Sequence, residues 1–281
     1  MDKTYHSSFA RTLGPTPQIE LCLENKAYLF AHEAGVYIPS INSIFITSNR
    51  LEAENGEQQV QISRIELQEQ IHPNIPMANG AGTPTLPSSL IFREPHPPYN
   101  TMIILDGFHS RRFNSINDVV AHSDDSIWFT DPIYGYEQGI RPKPELPSQV
   151  YRLDPSTGSF RVMADGFGRP NGVSFSNDER TIYFTDTDAV HGVGSIQLSR
   201  ASTIYAFDIK YYANEPLLIS RRVFAMADVG FPDGIKCDMQ GNVYSGCGNG
   251  LNVWSPGGVL IGKILIPGGV SNFCFARPGR F

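Results

Sequence analysis

Arg169-Pro-Asn171-Gly-Val-Ser-Phe-Ser-Asn-Asp-Glu-Arg-Thr-Ile-Tyr-Phe-Thr-Asp186 is the stretch whose reading decides the fold. It runs as a polar residue, a short alternating strand, a turn rich in Asn, Asp and Glu, and a second strand carrying an aromatic: a β-hairpin. The layout recurs upstream in Ser115-Ile-Asn117-Asp-Val-Val-Ala-His-Ser-Asp-Asp-Ser-Ile-Trp-Phe-Thr-Asp131, and downstream in Phe231-Pro-Asp233-Gly-Ile-Lys-Cys-Asp-Met-Gln-Gly-Asn-Val-Tyr244. A fourth copy spans Ala31 to Asn49, with Glu33 in the polar position. Repeats spaced by roughly 50 to 60 residues suit four-stranded propeller blades with insertions, whose units run to about 40 to 50 residues. Val60–Leu67, Gln149–Asp154 and Thr203–Asp208 read as third strands of successive blades. In a propeller the first strand of every blade lines the central channel, so Glu33, Asn117, Asn171 and Asp233 are expected to converge there.

Composition agrees with an all-β reading. The 281 residues include 26 Gly and 21 Pro, a turn-heavy mixture that favours many short strands over helices. A net charge of −6 without any basic run gives no electrostatic footprint for nucleic acid. No apolar run approaches the ~18 residues of a membrane helix, and Met1–Ser8 lacks the apolar core of a secretory signal; a cytoplasmic setting without membrane contact is expected. Cys22, Cys237, Cys247 and Cys274 show no metal-type spacing and are expected to be free thiols, with Cys237 opposite Ser245 across its hairpin.

Taken in order, residues 1–17 read as an irregular lead-in and Gln18–Glu24 as a strand that could close a ring with the chain's end. From Ile71 to Asn100 prolines and glycines dominate, and only Ser88–Phe92 is strand-like. The chain stops just after a first-strand pattern. The expectation is a single propeller domain over 1–281 with a shortened second blade and an incomplete last one, monomeric, with association through an open edge as the alternative. Asp131 to Leu146 interrupts a blade and forms a long loop at one mouth of the channel, as open to a specificity role as to none.

Two carboxylates and two amide carbonyls are all hard oxygen donors. Such a set suits Ca²⁺, which takes six to eight oxygens and tolerates irregular geometry, and the two acids balance its charge. Any one of these residues alone is better explained by turn capping; their shared repeat position argues for a joint role. Asp131 and Asp186, which end second strands, read as turn caps. His32 alternates away from Glu33 and reads as packing, and His122 and His191 read as surface residues of turns. Gly257–Lys263 has Walker A spacing, but Ile264 stands where a hydroxyl is required.

Phe-Asn-Ser-Ile-Asn117-Asp-Val-Val with Ile-Trp-Phe-Thr-Asp-Pro-Ile-Tyr-Gly135, then Arg-Pro-Asn171-Gly, Pro-Asp233-Gly and His-Glu33-Ala, resemble motifs of a known family. These are the calcium-dependent six-bladed propellers of the gluconolactonase, regucalcin (senescence marker protein) and diisopropylfluorophosphatase type. The resemblance implies a divalent cation, calcium or a relative, on Glu33, Asn171 and Asp233, with Asn117 completing the site or holding substrate or water. It further implies that Asp233 acts as general acid or base, and that Arg112 contacts substrate. The activity implied is hydrolysis of a small-molecule lactone or related ester. The alternatives are hydrolysis of a phosphotriester or aryl ester, or a propeller that has lost turnover and binds or templates a secondary metabolite.

Overall fold

Each repeated hairpin becomes the inner half of a four-stranded antiparallel sheet. The computed structural model describes residues 3–14, 17–19, 21, 24–25, 27–28, 31–52, 56, 58–59, 61–67, 70–76, 90–93 and 101–276. Among them four sheets of blade form are present, each an up-and-down meander in sequence order. The Glu33 blade comprises Glu33–Ile38, Ser43–Thr47, Gln61–Glu66 and Gln70–Pro76. The Asn117 blade comprises Val119–Ala121, Ile127–Asp131, Gln149–Asp154 and Ser159–Ala164. Pro170–Phe175, Thr181–Asp186, Thr203–Tyr212 and Glu215–Met226 form the Asn171 blade. Ile235–Cys237, Val243–Cys247, Gly250–Trp254 and Leu260–Leu265 form the Asp233 blade.

The strands stack face to face because both of their faces are apolar. In Thr181–Asp186, Ile182 and Phe184 join Trp128, Val150, Val173 and Phe175 on the side of the Asn117 blade. Tyr183, between them, joins Ile204, Ile235, Val243 and Trp254 on the side of the Asp233 blade. Alternation along one strand thus feeds two separate cores, the requirement for a sheet sandwiched between two others.

The start of the chain departs from the expected irregular lead-in. Lys3–Thr4 is a strand that pairs with Leu260–Leu265, with Lys3 opposite Lys263 and Thr4 opposite Gly262. Ser7–Leu13 is a helix whose first turn is capped by the His6 ring, which accepts from the Ser8 N–H at 3.2 Å. Phe9 is fully buried, clustered with Tyr244, Leu251, Val253, Ile261 and Ile264, and Phe273 and Phe275 pack at the margin. A Cβ on Gly262 would lie 1.9 Å from the Phe9 ring, so only glycine lets the ring seat on that strand. The outer edge and outer face of the Asp233 blade are covered by Lys3–Thr4, the helix Ser7–Leu13 and Phe273 and Phe275. Of Gln18–Glu24, the described positions carry no strand, and the rest, with Cys22, lie outside the described residues.

Residues 270–274 carry the channel wall from the Asp233 blade to the Glu33 blade. Gly234 donates its N–H to Ser271 O at 2.7 Å, and Val270 donates to Cys247 O at 3.0 Å. A Cβ on Gly234 would meet the Asn272 side chain at 2.5 Å, and Asn272 Nδ2 reaches on to Glu33 Oε2 at 3.0 Å. Between the Glu33 and Asn117 blades, Leu90–Arg93 pairs with Thr101–Leu105, close to the strand expected at Ser88–Phe92. Gln70–Pro76 is a strand that the proline-rich reading missed; it occupies the outer edge of its sheet, where a missing N–H costs no ladder bond. The remainder of 71–100 lies outside the described residues.

Cys237, Cys247 and Cys274 are free thiols. Cys237 pairs with Val243 rather than Ser245, because the turn is closed by Asp238, which accepts from the Gln240 and Asn242 N–H groups at 2.8 and 2.9 Å. No helix among the described residues is long and apolar enough to cross a membrane.

Replacing Phe9 by Ala removes a fully buried ring from the contact that seals the last blade, and a loss of about 3 to 5 kcal/mol of stability is expected. Urea unfolding of the Phe9→Ala variant measures it; a change under about 1 kcal/mol would show that the amino-terminal helix is not part of the cooperative core.

Candidate active site

The second strand of a blade ties its own first strand to the channel residue of the next blade. Thr130 is fully buried; its Oγ1 accepts the Asp118 N–H at 3.1 Å and donates to Asn171 O of the next blade at 2.7 Å. One blade on, Thr185 repeats this: its Oγ1 accepts the Gly172 N–H and donates to Asp233 O, at 2.7 and 2.8 Å. The aspartates that follow act as the caps expected from sequence. Asp131 accepts the N–H groups of Asn114 and Ser115 at 3.0 and 2.7 Å, and Asp186 those of Gly168 and Arg169 at 3.0 and 2.8 Å. Each Thr-Asp pair thus clamps the approach to a channel residue and the carbonyl of the next one.

Glu33, Asn117, Asn171 and Asp233 all line one cavity of about 660 Å³. Four residues distant in sequence are brought together by the equivalence of their repeat positions. Three of their oxygens, Asn117 Oδ1, Asn171 Oδ1 and Asp233 Oδ1, are buried without a hydrogen-bond partner. Buried acceptors are almost always satisfied, so three orphans converging on one space mark a site for a ligand that accepts their lone pairs. Among the described residues no three His, Cys, Asp or Glu side chains gather as a metal cluster; this donor set is instead two carboxylates and two amides. Hard oxygens in that proportion fit a divalent cation of the calcium kind.

Electrostatics point the same way. Burial pushes the Glu33 carboxyl up to about 7 against the pull of the Asn272 hydrogen bond, and the charge of Asp118 adds to the rise. Burial, followed by the charges of Glu33 and Asp118, raises Asp233 well above the usual carboxylate range. Lys236 Nζ stands 3.8 Å from Asp118 Oδ2 and only partly offsets this concentration of negative charge. Asp118 also serves the frame, since its Oδ2 accepts the Val173 N–H of the next blade at 2.9 Å.

Arg112 does not reach the cavity. It is exposed on the two-residue strand Arg111–Arg112, while Arg141, from the mouth loop, is buried and lines the cavity with Tyr134 and Ile140. His32 and His191 also line it, contrary to their expected packing and surface roles. The irregular start of the Glu33 strand, with a register shift between Glu33 and Val36, turns His32 Nε2 to within 3.8 Å of Glu33 Oε1. His122 is nearly buried, edge-on to Phe175 and beside Asp124 and Glu179.

Arg169 ties together the two loops over the mouth. Its guanidinium donates to Glu137 Oε2 at 3.1 Å and Asp188 O at 2.9 Å, and contacts His191 Nδ1 at 3.0 Å. Glu137 Oε2 in turn accepts the Gly192 N–H at 2.7 Å. Tyr134 and Arg141 belong to the mouth loop that the sequence marks, whereas Asn272 carries no signal of its own and Asp118 shows only as the neighbour of Asn117; the Phe-Thr-Asp motif is the available signal for the two threonines.

The chain matches the model of the SMP-30/gluconolactonase/LRE-like region over residues 47–280. It is 29% identical over 192 residues to the lactonohydrolase oryL of Aspergillus oryzae, a match covering 64% of this chain and 44% of that protein. It is 30% identical over 190 residues to a gluconolactonase of Zymomonas mobilis, covering 63% of this chain and 49% of the relative. The chain thus spans about half the length of these relatives. Among solved structures it is similar to a gluconolactonase of Xanthomonas campestris, with a TM-score of 0.59 at 24% identity over 90% of this chain and 82% of the other. A calcium-binding regucalcin of Agrobacterium tumefaciens gives 0.57 at 16% identity over 85% and 76%. Both likenesses bear on the fold, which is that of an all-β propeller. With the family model matched over most of its length, the chain belongs to the SMP-30/gluconolactonase/LRE-like family.

Proposed function

We propose that the chain is a divalent-cation-dependent hydrolase of a lactone or closely related ester, working in the cavity at the mouth of the propeller channel. The observation that carries this reading is the set of three unpartnered buried oxygens, set among two carboxyls whose proton affinity burial raises. The names of the relatives, lactonohydrolase, gluconolactonase and pentonolactonase, support the reaction class. Glu33, Asn117, Asn171 and Asp233 are the residues that would hold the cation. When bound, calcium supplies Lewis-acid polarisation of a carbonyl oxygen.

The chain's own residues do the rest. The Asp233 carboxylate accepts a proton from the attacking water and returns it to the ring oxygen as the C–O bond breaks. Asn272 holds Glu33 by the 3.0 Å bond to Oε2, freeing Oε1 for the site. Arg141 and His191 stand at the cavity wall where polar substituents of a substrate would lie. We read the architecture as one domain with six positions around the channel: four full blades, the Leu90–Arg93 and Thr101–Leu105 pair in the second, and residues 270–276 in the sixth.

Three experiments bear on this. Binding at a hundred times Kd adds about 2.7 kcal/mol to folding, so saturating calcium is expected to raise the melting temperature of chelator-treated protein by several degrees. An identical melt with and without calcium, together with no metal by elemental analysis, overturns the cation site.

The melt of the cation-free protein also carries a pH signature. Glu33 and Asp233 have folded-state values raised above their unfolded ones, so stability present below the ordinary carboxylate range is lost as pH rises, through about 7 for Glu33. Cation-free protein is expected to melt lower at pH 8 than at pH 5.5, and calcium to restore more at pH 8, where the ligands are ionised. A calcium-induced rise that is larger at pH 5.5 contradicts the ligand assignment.

Asp233→Asn keeps an oxygen donor but cannot transfer a proton. It is expected to bind calcium and lose about 10²- to 10⁴-fold in kcat in a pH-stat assay on aldonolactones and aliphatic lactones. Equal rates in Asp233→Asn and wild type remove Asp233 from proton transfer. Calcium-loaded wild type that leaves every lactone intact removes the lactonase reading.

A further inference from the structure

An asparagine can offer a cation its carbonyl oxygen or, turned over, confront it with an NH₂ group. The two orientations have nearly the same shape, so the neighbours of the amide decide between them. At Asn171 those neighbours are specific. Nδ2 donates to Thr187 Oγ1 at 3.4 Å. Tyr134 and Thr187 are hydrogen-bonded to each other, and Thr187 Oγ1 donates to Arg169 O at 3.3 Å. With the Thr187 hydrogen on that carbonyl, Thr187 Oγ1 accepts from both Tyr134 and the Asn171 amide. The hydrogen bonds then run one way, from the amide and the phenol through the Thr187 hydroxyl to a backbone carbonyl. Reversing the amide would set Oδ1 against a hydroxyl oxygen whose hydrogen is already used. Oδ1, meanwhile, is buried and unpartnered.

We propose that Tyr134 and Thr187 are positioning residues for the cation site, holding the Asn171 amide with its nitrogen turned into the protein and its carbonyl oxygen presented to a divalent cation. This rests on the cation reading above. It also gives the mouth loop a role in the site, because Tyr134 begins the helical turn Tyr134–Glu137, which Arg169 and the Gly192 N–H hold through Glu137. Through that anchorage the loop over the mouth sets the polarity of a ligand beneath it.

Calorimetric titration of chelator-treated, full-length protein with calcium chloride tests the proposal, alongside melts of the calcium-free forms. Tyr134→Phe and Thr187→Val each delete one hydroxyl without touching a ligand. Each is expected to raise the calcium Kd by about tenfold or more, the usual consequence of losing a group that orients a ligand. The double variant is expected to bind about as weakly as the weaker single one, because the two hydroxyls act in one chain. Thr187→Ser, which restores the hydroxyl, is expected to recover wild-type affinity. Tyr136→Phe, on the same turn but outside the cavity lining, is expected to change nothing. Both single variants within about twofold of the wild-type Kd overturn the proposal, as does a Kd loss in Thr187→Val that Thr187→Ser does not recover. Lowered calcium-free melts with unchanged Kd would assign the pair a structural role instead. Wild type that binds no calcium at all overturns the cation reading and this inference with it; binding that the variants leave unaltered overturns this inference alone.

Discussion

Everything at the channel mouth depends on the Thr-Asp clamp repeated at the ends of the second strands. A threonine hydroxyl that accepts within its own blade and donates to the channel residue of the next couples neighbouring blades by one hydrogen bond at each junction. The aspartate beside it satisfies two N–H groups of the turn that leads into the channel. Burial pushes Asp131 up to about 7 against these two N–H bonds. Taking away either partner would strand buried donors at a cost of about 1 to 3 kcal/mol each. A site assembled from four separate blades needs such cross-blade contacts, because each ligand otherwise moves with its own sheet.

The clamp also makes the site's electrostatic cost tolerable. Glu33, Asp118 and Asp233 bring three carboxyls into mutual range, with Lys236 as the nearby cation. Three unpaired buried oxygens around one cavity, beside carboxyls raised by burial, make the arrangement in which perturbed groups gather at functional sites. The cores on either side, built from Trp128, Val173, Ile182 and Phe184 and from Tyr183, Ile204, Val243 and Trp254, supply the stability that offsets it.

Above this rigid frame lie the parts that vary in character: the helical turn at Tyr134, the loop around His191, and Arg50 and Arg141 at the cavity wall. The Arg169–Glu137 contact holds these loops against the frame. The cavity thus joins loop residues, which the frame anchors, to residues at the starts of the inner strands.

The periodic part of this protein was legible in its sequence. Strand alternation and the recurrence of Asn117, Asn171 and Asp233 at one position per hairpin follow from local chemistry, so the blades, their order and the convergence of the four oxygen donors could be read in advance. Glu33 could be placed by the same reasoning although its surroundings differ. What tertiary structure alone decided was everything that depends on a single, non-repeated encounter. The Phe9 ring lies against Gly262, and Lys3–Thr4 extends the last sheet, because an unfilled apolar face selects whatever segment can reach it. Arg141 enters the cavity and Arg112 stays outside because the loop's course, not its composition, aims the side chain. Asn272 meets Glu33, and Tyr134 meets Thr187, across sequence separations that carry no periodic signal. Periodicity records what each residue does within its own blade; contacts between blades, and between blades and loops, are settled only when the chain closes on itself.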